Sequence, residues 1–224
     1  MTPIKIIVTA GPTLEPIDPV RFISNRSTGV MGYNIAEAAS RRRHEVTLIS
    51  GPVKIKPPRV KRFIPIETAR DLLSALKKEI KKTDCLVMCA AVGDFRPRDV
   101  LKTKIKRKSA LSIKLIPNQD ILKALSRHKK SKLFIGFSLE TENLARNSYK
   151  KLKSKDLDLI VANKLSKGHN PFGYNKLDII ITDQSGHRIY INSKSKSYIA
   201  QVLLDKIEEL WYLQYRKVYP YGHK

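Results

Sequence analysis

Short β-branched runs and amphipathic stretches take turns along most of this chain. "IKIIV" near the N-terminus is apolar and β-branched apart from Lys5 and predicts a buried strand, whereas "GYNIAEAASRRR" repeats Ile and Ala at helical spacing and predicts a helix. The alternation continues through "EVTLISG" and "RFIPI" as strands, "ARDLLSALKKEIKK" as a helix and "CLVMCAAV" as a strand. After an irregular basic stretch come strand "LSIKLI", helix "DILKALSRHKK", strand "LFIGFSL", helix "NLARNSYKKLKSK" and strand "LDLIVAN". Strands apolar on both faces belong to sheets covered on both sides. The pattern predicts an α/β fold: a Rossmann-like, doubly wound, mostly parallel sheet with helices on both faces and right-handed crossovers. "KLDIIITDQSGHRIYIN" then predicts a C-terminal strand pair turning at Ser185 and Gly186, and "KSYIAQVLLDKIEELWYLQY" a terminal helix. No repeat or low-complexity linker interrupts the 224 residues, so one domain over 1–224 is expected.

The longest polar interruption, "TAGPTLEPIDPVRFISNRSTGVMG", directly follows the first strand. Loops at that position lie at the carboxyl edge of the sheet, where ligands bind. Its end, Ser27, Thr28 and Gly29 ahead of a helix, fits a phosphate loop built on free backbone N–H groups, and fits equally a Ser or Thr helix cap. The spacing is neither G-x-x-x-x-G-K-[ST] nor G-x-G-x-x-G. Arg21 and Asn25 in the same loop suit recognition of a carboxyl or phosphate group. Asp94, after "CLVMCAAV", could accept from ribose hydroxyls or help hold Mg²⁺. Behind it come Arg96 and the cluster Lys102, Lys104, Lys106, Arg107 and Lys108, and a flexible lysine there could follow phosphates through a reaction. Lys151 and Lys155 share one helical face and could meet one polyanion. Each of these lysines reads as well as an ordinary solvated charge.

Charge widens the choice of partner without settling it. The 44 Lys and Arg against 20 Asp and Glu give a formal net charge of +24, which favours anionic ligands or simply solvates helix faces. No apolar run is long enough to span a bilayer and no signal pattern opens the chain, so a cytoplasmic protein with no membrane partner is expected. Cys85 and Cys89 are separated by roughly 13 Å along a strand, too far to bridge. His44, His128, His169, His187 and His223 lack ligand spacing, and no structural metal site is expected.

Taken in order, the opening loop, "TLISGPV", "CAAVGDFRP", "KTKIKR", "NQDIL", "GFSLET" and "DLDLIVANK" strongly resemble phosphopantothenoylcysteine synthetase in its bacterial, nucleotide-dependent form. The matching segments run from about Ile4 to near Leu210. The resemblance implies a ligase of coenzyme A synthesis, free-standing here because the chain starts at the ligase's first strand. It joins 4′-phosphopantothenate and L-cysteine through an acyl-cytidylate and releases pyrophosphate and CMP. CTP is then a co-substrate, Mg²⁺ a helper, no flavin is expected, a homodimer is usual, and the preceding decarboxylation falls to a separate protein. By the same resemblance Asn25 is catalytic and meets the reacting carbonyl, Arg21 binds substrate beside it, and Lys104 is the catalytic lysine of a mobile loop that promotes the acyl intermediate. Met88, Cys89 and Ala90 present backbone groups to base and ribose, and Asp94, Gln119, Asp120, Ile121, Leu122, Phe137, Lys151 and Lys155 are nucleotide contacts. The chain departs from the family pattern at Val30, Gly93, Gln119 and the pair Ser138 and Leu139, and at Val30 it lacks a lysine.

Two other readings remain. A Rossmann-type oxidoreductase fits the alternation but lacks the dinucleotide fingerprint and an acidic residue ending the second strand. An RNA-binding module fits the charge but lacks an aromatic stacking platform, so no specific nucleic-acid partner is expected.

Overall fold

The computed structural model describes residues 2–107, 110–165 and 170–218, with side chains to position 214. Lys108 of the basic cluster, His169 and His223 lie outside the described residues. In chain order the elements are β1 (Lys5–Ala10), β2 (Leu14–Pro16), β3 (Phe22–Ser24), α1 (Val30–Arg41), β4 (Glu45–Ser50), β5 (Arg62–Pro65), α2 (Ala69–Glu79), β6 (Cys85–Met88), β7 (Phe95–Pro97) and β8 (Leu115–Pro117). They continue with α3 (Ile121–Leu125), β9 (Leu133–Glu140), α4 (Leu144–Ser154), β10 (Leu159–Lys164), β11 (Leu177–Asp183), β12 (Arg188–Lys194) and α5 (Lys196–Val218).

Eight strands form the main sheet in the order β12-β11-β10-β9-β6-β1-β4-β5. Pairing is parallel from β5 through β10, and β11 and β12 add an antiparallel edge. Each central strand divides its side chains between two cores, as a period of two requires. Ile6 and Val8 of β1, Cys85 and Val87 of β6, and Leu133 and Ile135 of β9 face one side with α1 and α5. Ile7, Leu86, Met88 and Phe134 face the other with α2, α3 and α4. The Rossmann-like, doubly wound sheet expected from the sequence is therefore formed, with its terminal strand pair and helix.

Strand order reverses between β1 and β6, and this switch point puts the loops after both strands side by side. The departures from the sequence reading gather here. The opening loop contains the small antiparallel pair β2 and β3, and β7 pairs with β8, so of the expected strand "LSIKLI" only its end is paired. β6 stops at Met88 because the next two amides, of Cys89 and Ala90, donate to the Thr9 hydroxyl at 3.0 Å and not to a neighbouring backbone. Thr13 repeats the device, its N–H reaching Ala91 O at 3.1 Å and its hydroxyl accepting from Gly93 N at 2.9 Å. Residues 89–93 thus follow residues 9–13 closely, and the two loops form one wall.

Candidate functional site

A cavity of about 760 Å³ opens at this switch point. The opening loop contributes Asn25, Ser27, Thr28 and Gly29; the end of β6 contributes Met88, Cys89 and Ala90, with Asp94 beyond. The segment leading into α3 brings Gln119, Asp120, Ile121 and Leu122, β9 brings Phe137, and α4 brings Lys151 and Lys155. Of the residues given a role by the resemblance all but Arg21 and Lys104 line this space, as do Ser27, Thr28 and Gly29; Arg96, Lys102, Lys106 and Arg107 of the basic stretch do not.

The two readings of the Ser-Thr-Gly segment separate here. The N-cap of α1 is Gly29, left-handed at φ 76°, and among the described residues no side chain caps the helix. The Ser27 hydroxyl accepts from Gly29 N at 3.4 Å, and the Thr28 hydroxyl accepts from Gly173 N at 3.1 Å. The helix start is thus left without a side-chain acceptor, which favours an anion there. Asn25 is held by one amide hydrogen to Ala91 O at 3.0 Å, and among the described residues its other hydrogen and Oδ1 have no partner. On the facing wall, Asp120 caps α3 through Lys123 N at 3.1 Å and pairs with Lys155, while Lys151 reaches Phe137 O at 3.3 Å. Gly93 O accepts from the Asn118 amide at 2.8 Å, and Arg96 is spent on Pro117 O and Asn118 at 2.8 and 3.1 Å, fixing the approach to α3.

Arg21 and Lys104 lie together outside the lining. Asp18, buried, accepts from Ile105 N at 3.0 Å, from the amides of Val20 and Arg21 at 2.8 and 2.9 Å, and from the Arg21 guanidinium at 2.6 Å. Arg21 also donates to Ile105 O at 3.3 Å. The residue next to Lys104 is therefore gripped from both its N–H and its C=O, and Arg21 anchors that segment. Led by the Ile105 hydrogen bond, these donors lower the Asp18 pKa to about 2. A carboxylate lowered on folding contributes stability at pH above its unfolded value, near 3.9, and loses it as pH falls through the folded value. The stability gap between the wild type and Asp18→Asn in urea melts is accordingly expected to be full near pH 6 and to shrink steadily from about pH 4 downward. A gap that stays constant to pH 3 would remove Asp18 from this role.

The sequence reading missed Arg26 and Lys196, which also line the cavity, together with Phe172 and Ile179. With Lys151 and Lys155 they set four cations against the carboxylates of Asp94 and Asp120. Burial pushes the Cys89 thiol up to about 12, so it is neutral at ordinary pH and serves as wall, not nucleophile. Burial also holds the Lys196 ammonium below the usual lysine range. Among the described residues no cluster of three or more side chains could hold a metal, and no helix is long and apolar enough to cross a membrane.

Residues 1–210 match the family described as DNA/pantothenate metabolism flavoprotein C-terminal domain. The Coenzyme A biosynthesis bifunctional protein CoaBC of Bacillus subtilis (strain 168) is 39% identical over 207 residues, which are 92% of this chain and 51% of that protein. Its counterpart in Escherichia coli (strain K12) is 38% identical over 210 residues, again 51% of its length, so the chain spans about half of the curated relatives it matches. A solved C-terminal domain of a Coenzyme A biosynthesis bifunctional protein CoaBC superposes with TM-score 0.78 at 36% identity, covering 92% of this chain and 94% of that one. Fold and sequence agree, and the chain belongs to the DNA/pantothenate metabolism flavoprotein C-terminal domain family.

Proposed function

We propose that this chain is a phosphopantothenate–cysteine ligase that activates its carboxylate substrate with CTP. The observation that carries the reading is convergence: segments spread from Asn25 to Lys155 meet around one cation-rich cavity large enough for a nucleotide and a second substrate. The names of the bifunctional relatives, which place those proteins in coenzyme A biosynthesis, support the same reading.

In the first step the 4′-phosphopantothenate carboxylate attacks the α-phosphorus of CTP; a carboxyl O–P bond forms, the α–β phosphoanhydride breaks, and pyrophosphate leaves with the electron pair. Lys151, Lys155 and the α1 start at Gly29 supply positive charge where the triphosphate and its leaving group would lie. In the second step the cysteine amine attacks the acyl carbon, gives up a proton, and CMP leaves. Asn25, fixed by Ala91 O, has a free N–H and Oδ1 for the reacting acyl group. Phe137 on the lining offers the nucleotide a further contact. Because the Cys89 and Ala90 amides are occupied by Thr9, backbone recognition of base and ribose falls to their carbonyls. Asp94 is an exposed carboxylate on the lining, suited to hold Mg²⁺ jointly with substrate phosphates, where the ion would neutralise phosphate charge. A homodimer belongs to the same reading, supported by the exposed Phe22, Phe95, Val100 and Leu115 on and beside the two small sheets. So does a cytoplasmic location.

The test is pyrophosphate release by the purified protein with Mg²⁺, comparing CTP with ATP, with and without phosphopantothenate and L-cysteine. Release that requires phosphopantothenate and prefers CTP is expected; release with neither nucleotide would overturn the reading. Lys104→Ala is expected to slow pyrophosphate release about 10- to 150-fold, the value of one hydrogen bond to a charged group, without a change in melting temperature. Wild-type release by this variant would take Lys104 out of the reaction.

A further inference from the structure

Lys196 is the first residue of α5, and the Ser195 hydroxyl ahead of it accepts from Tyr198 N at 3.2 Å, so the helix start is held in place. The lysine is 6% exposed. Buried ammonium groups are costly and are found almost always against a carboxylate. Here the Nζ donates instead to two backbone carbonyls, Pro171 O at 2.7 Å and Gly173 O at 2.5 Å, and among the described residues it forms no ion pair. An ammonium has three donors, and no described residue uses the third.

Both carbonyls belong to residues 170–175, a turn closed internally by Phe172 N to the Asn170 side chain at 2.9 Å and by the Asn175 amide to Asn170 O and Phe172 O at 3.0 and 3.1 Å. Gly173, at φ 69°, is gripped on both sides: its C=O by Lys196 and its N–H by the Thr28 hydroxyl at 3.1 Å. Thr28 belongs to the segment that presents the start of α1. Pro171 and Phe172 of the same turn line the cavity. A continuous chain of hydrogen bonds therefore runs from the start of α5 through Gly173 to the anion loop.

We propose that Lys196 is a positioning residue for the anion loop: it holds residues 170–175 against Thr28 and so fixes one wall of the substrate cavity. A methionine of similar length would fill the same space without the desolvation cost but would leave both carbonyls without a donor, so it is the hydrogen bonds and not the packing that the ammonium supplies. The inference rests on the ligase reading only for which anionic substrate is bound.

Three measurements on Lys196→Met and Lys196→Arg test it. In thermal melts Lys196→Met is expected to remain folded with a modestly lowered melting temperature, because the Pro171 and Gly173 carbonyls lose their donor while the cost of burying a charge is removed. In hydrogen–deuterium exchange of the ligand-free protein, peptides covering 170–175 and 24–30 are expected to exchange faster in Lys196→Met by about tenfold, the loss of a charged hydrogen bond, and to recover in Lys196→Arg. In steady-state kinetics KM for the nucleotide or for phosphopantothenate is expected to rise about tenfold in Lys196→Met with kcat changed less than about threefold, again recovering in Lys196→Arg. Unchanged exchange at 24–30 would overturn the proposal, as would unchanged KM values in an enzyme that turns over. If the wild type shows no turnover, the ligase reading fails, and the exchange at 24–30 still decides the role of Lys196; should Lys196→Met not fold, Lys196→Gln replaces it in all three.

Discussion

Asn25→Asp is expected to cut kcat by about 10²–10³-fold, the usual cost of removing one preorganised donor from a developing charge, while a first equivalent of pyrophosphate is still released. The side chain stands where the opening loop touches the wall after β6: its Nδ2 donates to Ala91 O, which also accepts from Thr13 N. Aspartate keeps the size of asparagine and loses the donor. A carboxylate would face the Ala91 carbonyl across 3.0 Å and would sit in a cavity built to attract anions. The fold is expected to persist, because Asn25 is exposed and the wall is tied independently by Thr9 and Thr13. The step affected is the second, in which the amine meets the acyl carbon, so the acyl-nucleotide should accumulate and be detectable by mass spectrometry. Wild-type turnover, or loss of the first equivalent of pyrophosphate, would move Asn25 out of this role.

Most of the architecture is legible in residue patterns because the sheet is buried on both faces and its strands are apolar at nearly every position. What the pattern does not carry is where a strand ends. "CLVMCAAV" looks uniform, yet pairing stops at Met88 because a buried threonine hydroxyl 80 residues from Cys89 in the chain intercepts the next two amides. The short pairs β2 with β3 and β7 with β8 are three residues a side, below what periodicity resolves. The lining of the cavity was legible mainly through the resemblance, since motifs such as "NQDIL" and "GFSLET" have little signal alone. Arg21 shows the limit of that route: the structure has its guanidinium holding Asp18 and Ile105, outside the lining. Lys196 was not legible by either route. In "SKSKSYIA" it reads as one more basic residue among 44, and only its burial against two carbonyls separates it from the solvated lysines.

Gly51→Ala is expected to destabilise the protein by about 3 kcal/mol or more, at the top of the range for overpacking, which for a chain of this size lowers the melting temperature by about 6–12 °C. Gly51 follows β4, and its N–H donates to Ala10 O at 3.0 Å while the opening loop crosses directly over it. A Cβ placed there would stand 1.7 Å from Pro12 O and 2.8 Å from Pro12 C, both backbone atoms that no rotamer change can move. Nor can Pro12 retreat, since it bridges to Ala91 on its far side and the next residue donates to Ala91 O at 3.1 Å. The strain must pass either into β4 or along the loop toward Asn25, so folded Gly51→Ala protein should also lose activity. Gly173→Ala supplies the contrast, because among the described residues beyond its chain neighbours no atom lies within 4 Å of its added Cβ and only the left-handed backbone is strained, a cost of about 1–2 kcal/mol. If Gly51→Ala melts within about 2 °C of the wild type, or no lower than Gly173→Ala, the close crossing of Pro12 over β4 is not what fixes the opening loop.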